Sequence, residues 1–214
     1  MPSGCTRVKL AVGPHSTNSQ AEHRCPPPPV PSNEATRPNL HLELSHCSVR
    51  DWRPSDARSL QRHADSYAVW RQLRDRFPHP YTRRDADVFL AGACGANPRT
   101  TFAIDVGGEA VGGIGLQLGE DVARASAEVG YWLGEEHWGR GIMTEVLRAV
   151  TEQAIHRFGI HRVYALPFAE NAASARVLEK AGFTSEGRLR RSAVKDGRVL
   201  DQLVYAITDL DLSS

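Results

Sequence analysis

Two glycines flank one arginine in the segment Glu136–Ile142, EHWGRGI, and this spacing could bind an anion. An alternating apolar segment, AEVGYWLG, precedes it, and a helix-like segment, MTEVLRAVTEQAIHRF, follows. The first turn of a helix has unpaired N–H groups, and the helix dipole favours negative charge there. Gly139 and Gly141 would let an anion approach the backbone closely, and Arg140 could add a positive charge. The pattern predicts a phosphate or diphosphate site, although two glycines could equally form only a tight strand-to-helix turn.

The common nucleotide motifs do not fit this segment. GRGIMTE lacks the Lys-Ser/Thr pair of a P-loop, and no third glycine completes a dinucleotide fingerprint. The sequence therefore argues against a nucleoside triphosphate or a nicotinamide dinucleotide as the bound anion.

The elements around this segment predict one mixed α/β sheet with helices on both faces. Leu40 begins a regular pattern read as β-α-α-β-β-β-α-β-α-β-β, in which LHLELSHCSVRDW is one strand and YAVWRQLRD is helical. Gly107–Gly108 predicts a two-residue hairpin turn, and the helix ending near Phe158 should cross over between parallel strands. Residues 1–39, which contain CPPPPVPSNEATRP, are predicted to be a disordered proline-rich tail preceding a single domain over 40–214.

Composition excludes several classes of function. The 214 residues are 41% hydrophobic, and 26 basic against 25 acidic side chains leave a net charge of +1. No global field would attract nucleic acid or a membrane surface, and no apolar run is long enough to span a bilayer. Four dispersed cysteines without a C-x-x-C pair argue against a zinc or redox motif. We expect a cytoplasmic protein without a metal.

Three segments in order carry a family resemblance: AEVGYWLGEEHWGRGIMTEVL, NAASARVLEKAGF and SAVKDGRVLDQLVYAI. Together they resemble the GNAT superfamily of acyl-CoA-dependent N-acetyltransferases, and most of all its RimJ/RimL-like branch, which acetylates ribosomal-protein N-termini and related amines. VRDWRPSDARSL and FPHPYTRRDADVFL also match that branch, so the resemblance covers roughly residues 40–207.

The resemblance implies a mostly antiparallel GNAT-like sheet with a V-shaped cleft for acetyl-CoA, its cosubstrate. The cleft would open between the strand at Glu128–Leu133 and the strand at Arg162–Phe168. The residues implied to bind the cosubstrate are Tyr131, Trp132 and Leu133 for the pantetheine arm, Trp138, Gly139, Arg140, Gly141, Ile142, Met143 and Thr144 for the diphosphate, and Asn171 for the pantetheine amides. Asn171 is also a favoured helix N-cap, and Glu136 is expected to point to solvent.

Acetyl transfer to an amine needs a base, a polarised thioester carbonyl and a proton for the leaving thiolate. Glu128 is the candidate base, with a solvent-facing residue or a structural ion pair as the alternative. A strand N–H near Gly130–Tyr131 could polarise the carbonyl. Leu178 stands where many relatives have a tyrosine acid, so Ser174 or a bound water is the candidate proton donor.

Trp70, Phe77 and Tyr81 are candidates for the acceptor-binding wall, although aromatic side chains more often belong to the core. The expected reaction is direct transfer to a primary amine, on a small molecule or a protein N-terminus, within a ternary complex. A non-catalytic acyl-CoA sensor of the same fold is the alternative, and a homodimer is left open.

Overall fold

The computed structural model describes residues 40–212, which form one eight-stranded sheet with helices on both faces. The strands are β1 His41–Glu43, β2 Ser48–Asp51, β3 Thr101–Val106, β4 Glu109–Leu118, β5 Ser126–Leu133, β6 Arg162–Ala165, β7 Thr184–Lys195 and β8 Arg198–Thr208. The helices are α1 Ala57–Ala64, α2 Tyr67–Trp70, α3 Arg83–Gly95, α4 Ile142–Phe158, α5 Ala172–Lys180 and α6 Asp209–Leu212. The tail predicted over residues 1–39 lies outside the described residues.

The strand order is β1-β2-β3-β4-β5-β6-β8-β7, and every neighbouring pair is antiparallel except β5–β6. α4 makes the crossover between those two parallel strands, as the sequence predicts. The expectation of a mixed, mostly antiparallel sheet is confirmed.

Each face of the sheet buries its own apolar cluster. Alternation along β5 divides its side chains, so that Val129 and Leu133 pack with α4 and α5 while Trp132 packs against the cluster of α1 and α3. Val146, Leu147 and Val150 of α4 are at most 1% exposed, and they anchor that helix below the sheet. Among the described helices, none combines the length and hydrophobicity that crossing a bilayer needs.

The local predictions are largely confirmed, with three corrections. The prediction of a single first strand is wrong, because Leu44 N donates to Cys47 O at 2.9 Å in a turn that divides the segment into the β1–β2 hairpin. The helix predicted over YAVWRQLRD is shorter and ends at Trp70. The backbone N–H groups of Gln72 and Leu73 donate to the carbonyl three residues earlier, whereas an α-helix needs the carbonyl four residues earlier. The terminal α6 has no counterpart in the prediction. The Gly107–Gly108 turn is confirmed, with φ of 63° and 89°.

A buried ion network ties β2 to the start of α1 and to the β3–β4 hairpin. Arg50 is 4% exposed and donates to Asp56 at 2.8 and 2.9 Å and to Asp105 at 2.8 Å. The hydrogen bonds that Arg50 donates to Asp56 and to Asp105 raise its pKa, even though burial opposes its charge. Asp105 also accepts from Gly108 N at 2.7 Å, so Arg50 pairs with the carboxylate that holds this turn in place.

Replacing Arg50 with alanine should destabilise the protein by about 3–5 kcal/mol, because two buried carboxylates would lose their counter-charge. Denaturant unfolding of the full chain measures this change in the free energy of unfolding. Arg83→Ala is the matched control, since Arg83 forms an exposed ion pair with Asp87, and its effect should stay within about 0.5 kcal/mol. Equal effects of the two substitutions would contradict the role given to the network.

Candidate active site

The sheet opens between β5 and β6 after a short stretch of pairing. Ser126 pairs with Arg162, Ala127 with Val163 and Glu128 with Tyr164, after which β6 ends at Ala165 while β5 continues to Leu133. A cavity of about 1530 Å³ occupies the opening. It is lined by β5, the segment after it, the start of α4, α5 and the segment between α2 and α3.

The register of β5 decides which of its backbone groups face this opening. Gly119 N donates to Ser126 O and Gly134 N to Val111 O, both at 2.8 Å. Since an antiparallel ladder alternates, the even-numbered residues between them direct their backbone groups toward β4 and the odd-numbered ones toward the opening. Tyr131 and Leu133 therefore present backbone groups to the cavity.

Two predicted backbone contacts need correction on this ground. The peptide groups of Gly130 and Trp132 point toward β4, so Gly130 cannot supply the polarising N–H and Trp132 can contact a ligand only through its side chain. Gly130 has a different property, because a Cβ built there would meet no atom of the described residues within 4 Å. It leaves open space beside Glu128 on the same face of the strand.

The loop from Trp138 to Gly141 leads from β5 into an uncapped helix. Gly139 and Gly141 have φ of 75° and 79°, a region that residues with a side chain rarely adopt. Gly141 occupies the N-cap position, where no side chain bonds to the first turn. The N–H groups of Ile142, Met143 and Thr144 therefore stand at the positive end of a helix of 17 residues.

Acidic side chains near this helix start point elsewhere. Glu145 in the first turn accepts from Ser45 N at 2.7 Å and from His46 Nδ1 at 3.1 Å, so its charge is held by the β1–β2 turn. Glu136 is exposed, and its carboxylate lies near His63 and His137. Trp138 Nε1 donates to Leu133 O at 2.7 Å and fixes the loop against the end of β5.

Two hydroxyl groups meet on the α5 side of the cavity. Asn171 caps α5 by accepting from Ser174 N at 3.0 Å, and its amide NH₂, which has no partner within residues 40–212, can donate to a ligand. Ser174 Oγ lies 2.7 Å from the Tyr131 hydroxyl. Burial raises the pKa of Tyr131 to about 12, although the hydrogen bond with Ser174 opposes the shift. The tyrosine therefore keeps its proton at neutral pH.

The side chain of Tyr131 is a functional candidate that sequence reasoning missed. Alternation already places it on the face opposite Glu128, but its partner Ser174 belongs to a helix 43 residues later. Leu178, where the family resemblance implies a tyrosine, is fully buried in the core. The hydroxyl that could replace it is therefore supplied by the strand rather than the helix.

Glu128 lies on the opposite face of β5 and forms an ion pair with Arg74. Its side chain is 16% exposed, against 45% for Arg74, so the carboxylate is fixed in the wall while the guanidinium reaches it from solvent. Arg74 is a second residue that the sequence pattern gave no reason to select.

Of the three aromatic residues predicted for the acceptor wall, two line the cavity. Phe77 packs against Tyr81 with ring centroids 4.9 Å apart and against Trp132 at 5.6 Å. The prediction for Trp70 is wrong in placement, because its ring does not line the cavity. Trp70 instead stacks on His79 and receives the ammonium of Lys195 at 3.7 Å from its ring centroid.

Comparison with known proteins decides the family. Residues 47–184 match the model of the acetyltransferase (GNAT) domain. The chain belongs to the GNAT acetyltransferase family.

Among its relatives, this GNAT chain is 43% identical over 89 residues to the probable N-acetyltransferase YjcK of Bacillus subtilis (strain 168), covering 42% of this chain and 49% of YjcK. It is 31% identical over 101 residues to the [ribosomal protein uS5]-alanine N-acetyltransferase of Escherichia coli (strain K12), covering 46% of this chain and 52% of that enzyme. The chain thus spans about half the length of the curated relatives it matches.

Solved structures agree with the GNAT fold. Mycobacterium smegmatis RimJ in complex with CoA-disulfide matches with a TM-score of 0.71 and 27% identity, over 78% of this chain and 84% of RimJ. The structure of RimL, a ribosomal L7/L12 α-N-protein acetyltransferase, in complex with coenzyme A also matches with a TM-score of 0.71, over 79% of this chain and 98% of RimL. Its sequence identity is 22%, so this match supports the fold alone. The resemblance to the RimJ/RimL-like branch is confirmed.

Gly141→Asp should weaken coenzyme A binding at least about 100-fold. A carboxylate roughly 4 Å from a phosphate near the surface costs about 4 kcal/mol, and each 1.4 kcal/mol is tenfold in affinity. Calorimetric titration with coenzyme A measures this. Gly159→Asp is the matched control, since Gly159 (φ 63°) stands at the other end of α4 and its substitution adds the same charge and comparable strain. Equal affinities of the two variants would exclude the helix start as the diphosphate site.

Proposed function

We propose that this protein is an acetyl-CoA-dependent N-acetyltransferase that moves the acetyl group directly to a primary amine in a ternary complex. The observation that supports the proposal is that the candidate base, the hydroxyl pair and the candidate diphosphate site all adjoin one strand. β5 places Glu128 on one face and the Tyr131–Ser174 hydroxyls on the other, and it leads directly into the uncapped start of α4.

The binding of acetyl-CoA divides between loop and strand. The diphosphate would bind the segment at the start of α4, where two glycines leave the backbone accessible and the helix end favours negative charge. This segment consists of Trp138, Gly139, Arg140, Gly141, Ile142, Met143 and Thr144. The pantetheine arm would bond to the backbone of Tyr131 and Leu133, contact the Trp132 side chain and accept from the Asn171 amide. In this arrangement Trp138 exchanges its bond to Leu133 O for contact with the ligand.

Glu128 is proposed as the base that removes the proton from the acceptor amine, directly or through a water molecule. An acceptor enters as an ammonium and can displace the exposed guanidinium of Arg74 from the carboxylate. An α-amino group has a pKa near 7.7–8.0, against about 10.4 for a lysine side chain, so it needs less help from the base. The neutral amine then attacks the carbonyl above Gly130, where no side chain intervenes.

Tyr131 N–H is the donor proposed to polarise the thioester carbonyl, since the register turns it into the cavity. The departing sulfur takes a proton from Ser174 Oγ, which takes one in turn from the Tyr131 hydroxyl through their 2.7 Å hydrogen bond. The proton of the amine goes to Glu128. Exchange with solvent then removes the proton from Glu128 and returns one to the Tyr131 phenolate.

A protein N-terminus is the acceptor we favour over other amines. The α-amino pKa supports it, and a curated relative is named as a uS5-alanine N-acetyltransferase. Phe77, Tyr81 and Trp132 would form the wall against which the first residue of the acceptor packs. A cytoplasmic location and a homodimer remain predictions.

An assay of free thiol release from acetyl-CoA tests the activity directly, with N-terminal peptides, polyamines and small amines as acceptors. We expect turnover with at least one peptide. Measurable binding of acetyl-CoA without turnover on any amine would favour the alternative, a non-catalytic acyl-CoA sensor, for which the replacement of the usual tyrosine by Leu178 is the argument.

Glu128→Gln should lower kcat by about 10²–10⁴-fold, the usual contribution of a general base, and leave affinity for coenzyme A within a few-fold. Steady-state kinetics and calorimetry measure the two effects. Glu152→Gln, which neutralises an exposed carboxylate on α4, should change neither. Unchanged turnover in the Glu128 variant would exclude this residue as the base.

Ser174→Ala and Tyr131→Phe should each reduce kcat, and the double variant should be little slower than the worse single variant, because both act in one proton path. Since the pKa of Tyr131 is raised to about 12, its hydroxyl stays protonated, and the wild-type rate should show no loss from its ionisation between pH 7 and about 10. Fully multiplicative effects would show that the two hydroxyls act independently.

A further inference from the structure

Three metal-ligating side chains meet beside the loop that enters α4. His63 lies on α1, while Glu136 and His137 belong to the short 3₁₀ turn Glu135–His137 after β5. One ligand atom of each lies within 4.8 Å of the other two, and the imidazole rings are 5.5 Å apart at 66°. Two distant parts of the chain thus converge on one small volume.

One buried imidazole nitrogen at this point lacks a hydrogen-bond partner among the described residues. His137 Nδ1 is buried and has no hydrogen-bond partner within residues 40–212, a condition that carries a desolvation cost. His63 is 4% exposed, and its Nε2 accepts from Arg62 Nη2 at 3.0 Å. Because a guanidinium only donates, that nitrogen holds a lone pair.

Two charged side chains, Arg62 and Glu109, contact His63 Nε2. Arg62 is half exposed and also pairs with Glu109 at 2.8 Å, so it can leave His63 and remain neutralised at the surface. Glu109 Oε1, 3.5 Å from His63 Nε2, adds a second carboxylate at the edge of the cluster.

We propose that His63, Glu136 and His137 form a binding site for a divalent transition-metal cation such as Zn²⁺. Two imidazoles and one carboxylate are a donor set that zinc uses in proteins, with a fourth position left for water or another ligand. Imidazole donors disfavour Mg²⁺ and Ca²⁺, which bind mainly oxygen. A bound ion would join α1 to the start of the diphosphate loop.

The sequence offers no sign of this site and leads us to expect no metal. His63 and the pair Glu136–His137 are separated by three strands and two helices, so no ligand spacing is visible along the chain. The packing of α1 against β4 and the end of β5 brings the three ligands together. Gly134 permits this packing because it has no side chain. A Cβ there would lie 2.7 Å from His63 Nδ1.

Titration of the full chain with Co²⁺ as a spectroscopic probe, followed by competition with Zn²⁺, tests the proposal. We expect one equivalent of Co²⁺ with the visible absorption of a nitrogen- and oxygen-ligated ion, displaced by Zn²⁺. His137→Ala and Glu136→Ala should each weaken binding at least about tenfold, since even groups that only orient a ligand cost 10–100-fold. The matched control His156→Ala, which removes an exposed imidazole on α4, should bind as wild type does.

Thermal unfolding with Zn²⁺ supplies a second readout, because an ion that binds only the folded state raises Tm. The increase should occur in wild type and His156→Ala and be lost in His137→Ala. Unaltered affinity in His137→Ala, or absorption from cysteine thiolate ligands in place of imidazole, would overturn the proposal. These results depend on metal binding alone, so they stand apart from the outcome of the acetyl-transfer assay.

Discussion

β5 and β6 are held together at only three paired positions, and the geometry of the whole cleft follows from where that pairing stops. Pro167 comes two residues after β6, and proline has no N–H with which to continue a ladder. Its carbonyl instead accepts from Leu203 N at 2.9 Å, and Phe168 bridges to Gln202, so the chain turns toward β8. β5 is left with an edge that no described strand pairs, and the odd-numbered backbone groups on that edge face the cavity, with Leu133 O bonded to Trp138 Nε1.

The unpaired edge leads directly into the region that favours an anion. Where β5 ends, two glycines with positive φ bring the chain into α4 without a capping side chain. Val146, Leu147 and Val150 are buried in the core and hold the helix in this position. The one carboxylate of its first turn is held by Ser45 and His46. Positive potential thus remains at the helix start instead of being cancelled by the chain itself.

Features determined locally could be predicted from the sequence. The glycine turns, the bounds of α4 and the parallel crossover depend on neighbouring residues or on hydrophobic periodicity, and they are confirmed. Features that depend on tertiary packing could not be predicted. The Tyr131–Ser174 hydroxyl pair and the Glu128–Arg74 ion pair join residues 43 and 54 positions apart. The contact of Trp70 with Lys195, at the tip of the β7–β8 hairpin, likewise joins residues more than a hundred positions apart.

Binding of a diphosphate at the start of α4 is tested most directly by comparing the affinities of two ligands in calorimetric titrations. Coenzyme A and pantetheine share the arm that would bind β5, and coenzyme A adds the diphosphate together with the 3′-phosphoadenosine. 4′-Phosphopantetheine keeps one of these phosphates and lacks the adenosine, so it is the matched control and should bind more tightly than pantetheine. The full chain should bind coenzyme A at least about 100-fold more tightly than pantetheine, a difference of about 2.8 kcal/mol. Equal affinity for coenzyme A and pantetheine, or no binding of coenzyme A, would contradict the account.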